Sequence, residues 1–229
     1  DQRLGWVALL RQRLIENGAD YRVVNASITG DTTRGGLTRL PAALERERPG
    51  VLVIALGGND GLRGFAPQQT YDNLARMIEL GRDFGARVLL LGVRLPENYG
   101  RAYGEKFHRV YLDLAEDRNV ALVPFFLEGV AETRALMQPD GIHPAAGAQP
   151  RILDNVWPAL EPLLSDGQGR AVHGRHQSTA HAHVPVVQVD GRVDVAGNEP
   201  KAAAQLWLLR AMADSHNTVF VIGGSIGQP

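Results

Sequence analysis

Asp140-Gly-Ile-His143-Pro144 sets a carboxylate three residues before an imidazole. The glycine and proline mark a turn rather than a long helix. In such a turn the carboxylate can bond the imidazole Nδ1, fix its tautomer, and present Nε2 as a general base. Taken alone, this spacing is more often a surface turn, so its meaning depends on what accompanies it. Leu56-Gly-Gly58-Asn59-Asp60 follows an apolar run. At the carboxyl end of a parallel strand, where α/β sheets bind ligands, a side-chain amide can donate to an oxyanion. Asn25-Ala-Ser-Ile-Thr-Gly30-Asp-Thr-Thr33 also lies just past a strand. Gly30 has no side chain and can bring its backbone N–H close to a substrate. Finally, Thr218-Val-Phe-Val-Ile-Gly-Gly-Ser225 reads as a strand ending in a glycine-rich turn.

Positioning these groups requires alternating strands and helices. Helical spacing of Trp6, Leu9, Leu10 and Leu14 predicts a helix over 4–16, with Gly18 as its C-cap. Further helices are expected over 37–48, 67–84, 102–118 and 148–164, with strands at 21–25, 51–56, 87–93 and 120–125. The runs Val51–Leu56 and Arg87–Val93 are nearly continuous in apolar residues, as in strands covered on both faces. This alternation predicts a parallel sheet with helices on both sides. After Leu164 the composition turns to Gly, Ser, His and Gln, which reads as a linker. The expected organisation is a core over 1–164, an irregular segment over 165–200, and a helix plus strand over 201–229. A weak hairpin around Asp190-Gly191 is expected inside the irregular part.

Composition narrows the chemistry. The net charge is −1, with no dense Lys/Arg block, so no nucleic-acid partner or acidic membrane surface is expected. There are no cysteines, which removes disulfides, thiolate metal sites and a cysteine nucleophile. No apolar run reaches the ~18–20 residues that span a bilayer, so no stable membrane insertion is expected. The opening residues Asp1-Gln2-Arg3-Leu4 do not read as an export signal. His173, His176, His181 and His183 could bind a transition metal weakly, but without carboxylates a solvated linker is the better reading.

The stretches 24–33, 57–64, 94–100 and 137–144 occur in an order that resembles the SGNH (GDSL-like) hydrolases, and within them the bacterial lysophospholipase/thioesterase I–arylesterase group. The resemblance covers about 160 residues. It implies a flavodoxin-like three-layer α/β/α sandwich, no metal or organic cofactor, and a small-molecule ester or thioester substrate. It also implies that Gly30 and Asn59 are oxyanion donors and that Asp140 and His143 complete a triad. Gly58 and Asp60, with Arg94, Pro96 and Tyr99 in a wall of the acyl pocket, become candidate substrate contacts. Family members are often periplasmic.

The family opens on a strand ending in Gly-Asp-Ser-Leu, which carries the nucleophile and is absent from the start of this chain. Residues 214–226 look like that strand, with Gly224 where aspartate is usual. Residues 201–213 before it resemble the end of an export signal in a displaced position. The expectation is therefore a permuted or rearranged fold whose last strand fills the middle of the sheet. Ser225 is then nucleophile, and its own N–H a third oxyanion donor. Burial of Val219, Phe220, Val221 and Ile222 would contribute about 6–12 kcal/mol, while loop closure grows only logarithmically with length. The alternatives are an ordinary serine in a glycine-rich tail, an impaired acyl-binding relic, and a carbohydrate acetylesterase. Gly223-Gly-Ser225-Ile-Gly227 also fits the G-x-S-x-G elbow of α/β-hydrolases, but the acid and histidine precede it, against that fold's order. Ser27 has no evident base and reads as structural, and Trp6 and Trp157 read as core.

Overall fold

In a computed structural model the described residues are 5–165 and 217–224. The expected hairpin around Asp190, the helix over 201–212, the four linker histidines and Ser225 lie outside them.

The elements run α1 (Trp6–Glu16), β1 (Arg22–Asn25), α2 (Thr33–Glu47), β2 (Val51–Ala55), α3 (Gly58–Leu62), α4 (Pro67–Asp83), β3 (Arg87–Leu91), α5 (Arg101–Arg118), β4 (Ala121–Val123), α6 (Gln149–Ser165) and β5 (Thr218–Gly223). The expected positions hold to within a few residues. Two differences concern α2 and α3. The Thr32 hydroxyl accepts the Gly35 N–H, so α2 starts at Thr33 and not at Leu37. The single turn α3, too short for a periodic signal, follows β2 immediately.

All strands are parallel, in the order β1-β5-β2-β3-β4. The segment from the far end of the chain thus sits between β1 and β2. Val219 is level with Val23 on one side and Val51 on the other, and Val221 with Asn25 and Val53. Every residue of β5 is buried, as befits a central strand of a sheet covered on both faces. Its alternate side chains enter different layers. Val219 and Val221 pack with Val7, Leu10 and Leu14 of α1 and Leu153, Val156 and Leu160 of α6. Phe220 and Ile222 pack with Leu40 and Leu44 of α2, Leu74 and Ile78 of α4, and Phe107 and Tyr111 of α5. The result is the expected three-layer sandwich.

The four apolar side chains Val219–Ile222 are at most 1% exposed. Their burial contributes about 6–12 kcal/mol as an upper estimate, comparable to the ~5–15 kcal/mol net stability of a whole domain. Phe220→Ala should therefore lower the unfolding free energy by about 3–5 kcal/mol in urea titrations. Ile15→Ala, at a side chain 70% exposed, should change it by less than about 0.5 kcal/mol.

Candidate active site

The acid–base pair sits at the tip of a small hairpin. Met137 and Pro144 form an antiparallel bridge, the Gln138 N–H donates to His143 O at 2.7 Å, and the Ala145 N–H donates to Leu136 O at 2.7 Å. Gly141, at φ 69°, takes the left-handed conformation that closes the tip. One oxygen of Asp140 accepts the backbone N–H groups of Ile142 (2.9 Å) and His143 (3.0 Å). The other lies 2.6 Å from His143 Nδ1. These bonds, led by the His143 and Ile142 amides and then the imidazole, hold the Asp140 carboxyl down at about 2. An ionised carboxylate can only accept, so Nδ1 carries the proton and Nε2 is the basic nitrogen. The pair thus has the geometry expected of a general base and its orienting acid.

His143 faces the carboxyl ends of β1, β5 and β2. It lines a cleft of about 330 Å³ with Trp6, Asn25, Ser27, Thr29, Phe126 and Gly224. The sheet stays zipped up to that point. The Ala26 N–H donates to Val221 O, the Ile28 N–H to Gly223 O, and the Gly224 N–H to Ala55 O. The backbone preceding Ser225 is thereby delivered to the imidazole's own cleft. At Gly224 a Cβ would run into the Asp31 carbonyl oxygen, so glycine here lets the Asp31 loop close against the strand end.

The glycine loop and the asparagine turn meet. The Asn59 amide, 3% exposed, donates to Asp31 O at 2.9 Å. Gly30 adopts φ 75°, and its carbonyl accepts from Arg63 at 3.0 Å. Gly57 turns at φ 110° beneath the Tyr111 hydroxyl, where a Cβ would collide; that hydroxyl donates to Leu56 O at 2.9 Å. Arg39 contributes a contact the sequence did not single out. Its guanidinium pairs with Asp31 at 2.8 Å and donates to Ala26 O at 2.7 Å, joining the ends of β1 and the glycine loop.

A second, mostly apolar cavity of about 460 Å³ adjoins the first at Ala55, Phe126, Ile142 and Gly224. Gly58, Arg94 and Pro96 line it, with Leu62, Leu95 and Phe125 among their neighbours. Arg94 lies over the Phe125 ring at 5.3 Å. Two of the expected substrate contacts are placed away from this lining. Asp60 is 1% exposed and turns into the core, where Thr33 holds it. Tyr99 ends a 3₁₀ turn past the lining stretch and is not among the cavity's described walls. Trp6 packs on the core as expected, yet also lines the cleft. Ser27 likewise borders the cleft. A larger surface groove between α4 and α5, about 660 Å³, shares no lining residue with either cavity.

Residues 1–149 match the model of the GDSL-like Lipase/Acylhydrolase family. The chain belongs to this family. It is 62% identical over 164 residues to Esterase TesA of Pseudomonas aeruginosa, covering 72% of this chain and 82% of that protein. It is 47% identical over 151 residues to an arylesterase of Vibrio mimicus, covering 66% and 76%. Thioesterase 1/protease 1/lysophospholipase L1 of Escherichia coli K12 is 46% identical over 160 residues, covering 70% and 76%. A crystal structure of TesA superposes with a TM-score of 0.70 at 61% identity, covering 71% of this chain and 91% of that one. The esterase EstA from Pseudoalteromonas sp., in a structure inhibited by monoethylphosphonate, gives 0.68 at 36% identity, covering 72% and 90%. The chain is accordingly an SGNH-type ester hydrolase. No helix among the described residues is long and apolar enough to cross a membrane.

The turn that sets up the base has a measurable signature. The Asp140 carboxyl titrates in the folded protein at about 2 rather than at its ordinary 3.8. Its bonds stabilise the fold above 3.8 and are lost as pH falls through about 2. Carboxyl-detected NMR should show this midpoint, and a value at 3.8 would mean the Asp140–His143 turn is not held in solution.

Proposed function

We propose that this hydrolase cleaves carboxylic esters and acyl thioesters through an acyl-enzyme on Ser225. The observation that carries the reading is the Asp140–His143 pair, held at 2.6 Å and facing the cleft bordered by Gly224, the residue directly before Ser225. In the first step the Ser225 Oγ bonds to the substrate carbonyl carbon and its proton passes to His143 Nε2. Asp140 stabilises the imidazolium that results. The negative charge on the former carbonyl oxygen is met by the backbone N–H groups of Gly30 and Ser225 and by the Asn59 amide. Collapse breaks the bond to the leaving oxygen or sulfur, which takes the proton from His143. Water then repeats the sequence, giving the free acid and restoring the serine.

The apolar cavity beside Gly58, Arg94 and Pro96 supports an acyl chain as the group retained on the enzyme, with the leaving group on the His143 side. The relatives named for aryl-ester, thioester and lysophospholipid activity support the same substrate range. We also infer that β5 is the family's nucleophile-bearing strand in a permuted position. Its parallel pairing between β1 and β2 supports this, and it makes residues 218–223 part of the same core as 5–164.

A p-nitrophenyl ester assay tests the roles. Ser225→Ala and His143→Ala should abolish turnover above background. Asn59→Ala should lower kcat by roughly 10²–10³, about 2.7–4 kcal/mol. A fluorophosphonate should label Ser225. Unchanged turnover in Ser225→Ala removes it as nucleophile. A cooperatively folded protein that forms no adduct would instead be an acyl-binding relic.

A further inference from the structure

Asp60 is a carboxylate buried to 1% exposure, and the mechanism above makes no use of it. Burial raises its pKa, offset in part by the bonds it accepts from Thr33. Such a group is costly unless fully hydrogen-bonded, so what it holds deserves an account in structural terms. One oxygen accepts the Thr33 backbone N–H at 2.9 Å, and the other accepts the Thr33 hydroxyl at 2.5 Å. The hydroxyl oxygen in turn accepts the Asn73 amide of α4 at 2.9 Å. Asn73 therefore orients the hydroxyl so that its proton points at Asp60.

Thr33 is the first residue of α2, separated from Gly30 and Asp31 only by the N-cap Thr32. An anion there also complements the positive end of the helix. Meanwhile Asn59, the neighbour of Asp60 on α3, grips Asp31 O, and Arg63 just beyond α3 grips Gly30 O. The short segment 59–63 thus seizes the loop at Gly30, Asp31 and Thr33. Only the Thr33 grip is both buried and two-pronged.

We propose that Asp60 is a positioning residue which, through Thr33, sets the separation between the Gly30 N–H and the Asn59 amide, the two oxyanion donors supplied by different loops. The proposal rests on the oxyanion reading given above. Asp60 touches no substrate. Loosening its grip lets the glycine loop shift relative to Asn59, and a donor displaced from the developing charge no longer stabilises the transition state differentially.

Steady-state kinetics on Asp60→Asn, Asn59→Ala and the double variant test this. Asp60→Asn keeps the shape but places an amide against the Thr33 donors. It should lower kcat by roughly ten- to hundredfold, the usual scale for outer partners of a reactive group, with KM within about threefold. In the double variant the loss should stay close to that of Asn59→Ala alone, because both changes disable one device. Thr33→Val, which keeps the backbone bond, should show the same pattern more weakly, and it serves if Asp60→Asn does not fold. Undiminished kcat in both variants, or losses that multiply in the double variant while Asn59→Ala is itself impaired, would overturn the role of Asp60 alone. Full kcat in Asn59→Ala would overturn the oxyanion reading and this proposal together.

Discussion

The structure depends on β5 being hydrogen-bonded on both edges. Among the described residues β1 has no other strand partner, and β2 faces β5 on the side opposite β3. Take β5 away and β1 becomes detached, while both helix layers lose the side chains that fill them at the centre, Val219 and Val221 below and Phe220 and Ile222 above. The same ladder shapes the cleft. The bonds that end it, from Ile28 to Gly223 and from Gly224 to Ala55, bring the end of β5 level with the glycine loop and with the asparagine turn. Stability and the placement of Gly224 at the cleft are thus consequences of one register.

Around that register the site is assembled from short, separately stable turns. The Asp140–His143 unit is local: a hairpin tip, an Asx-type carboxylate and one glycine with positive φ suffice to orient the imidazole. The side of the cleft built by Gly30 and Asn59 is not local. Asn59, Asp60 and Arg63, past the exit of β2, reach across to Asp31, Thr33 and Gly30 past the exit of β1, while Arg39 ties the glycine loop back to the end of β1. The two cavities then meet at Gly224 and Ile142, so both open onto the end of β5. Polar side chains such as Asn25, Ser27 and His143 line the smaller one, and apolar ones such as Leu62, Leu95 and Phe125 the larger, which is how small-molecule sites usually divide orientation from affinity.

Glycine at 224 illustrates how one position serves two elements. Its backbone continues the strand ladder, and its missing side chain leaves room for the Asp31 carbonyl, which itself receives the Asn59 amide. A larger residue there would have to displace the loop that carries Gly30. The close approach of loop and strand end is therefore tied to this residue in this chain.

Sequence alone determined the elements, because hydrophobic period and turn residues are local properties. Val51–Leu56 and Arg87–Val93 read as buried strands, and the helices among the described residues were found to within a few residues, apart from the early start of α2, which Thr32 caps, and the single turn α3. It also determined the pairing of Asp140 with His143, since three residues of chain are enough to bring one to the other. Burial direction and cross-chain pairing were decided only by tertiary structure. Asp60 stands beside Asn59 in the sequence and was expected at the substrate, yet successive helical residues point about 100° apart, and packing sent one to the loop carbonyl and the other into the core. Arg39, Thr33 and Asn73 carried no signal because their partners lie far away in the chain. The seat of β5 could be argued from the apolar area it needed to bury, but which two strands would receive it, and at which level, follows from the packing of every layer at once.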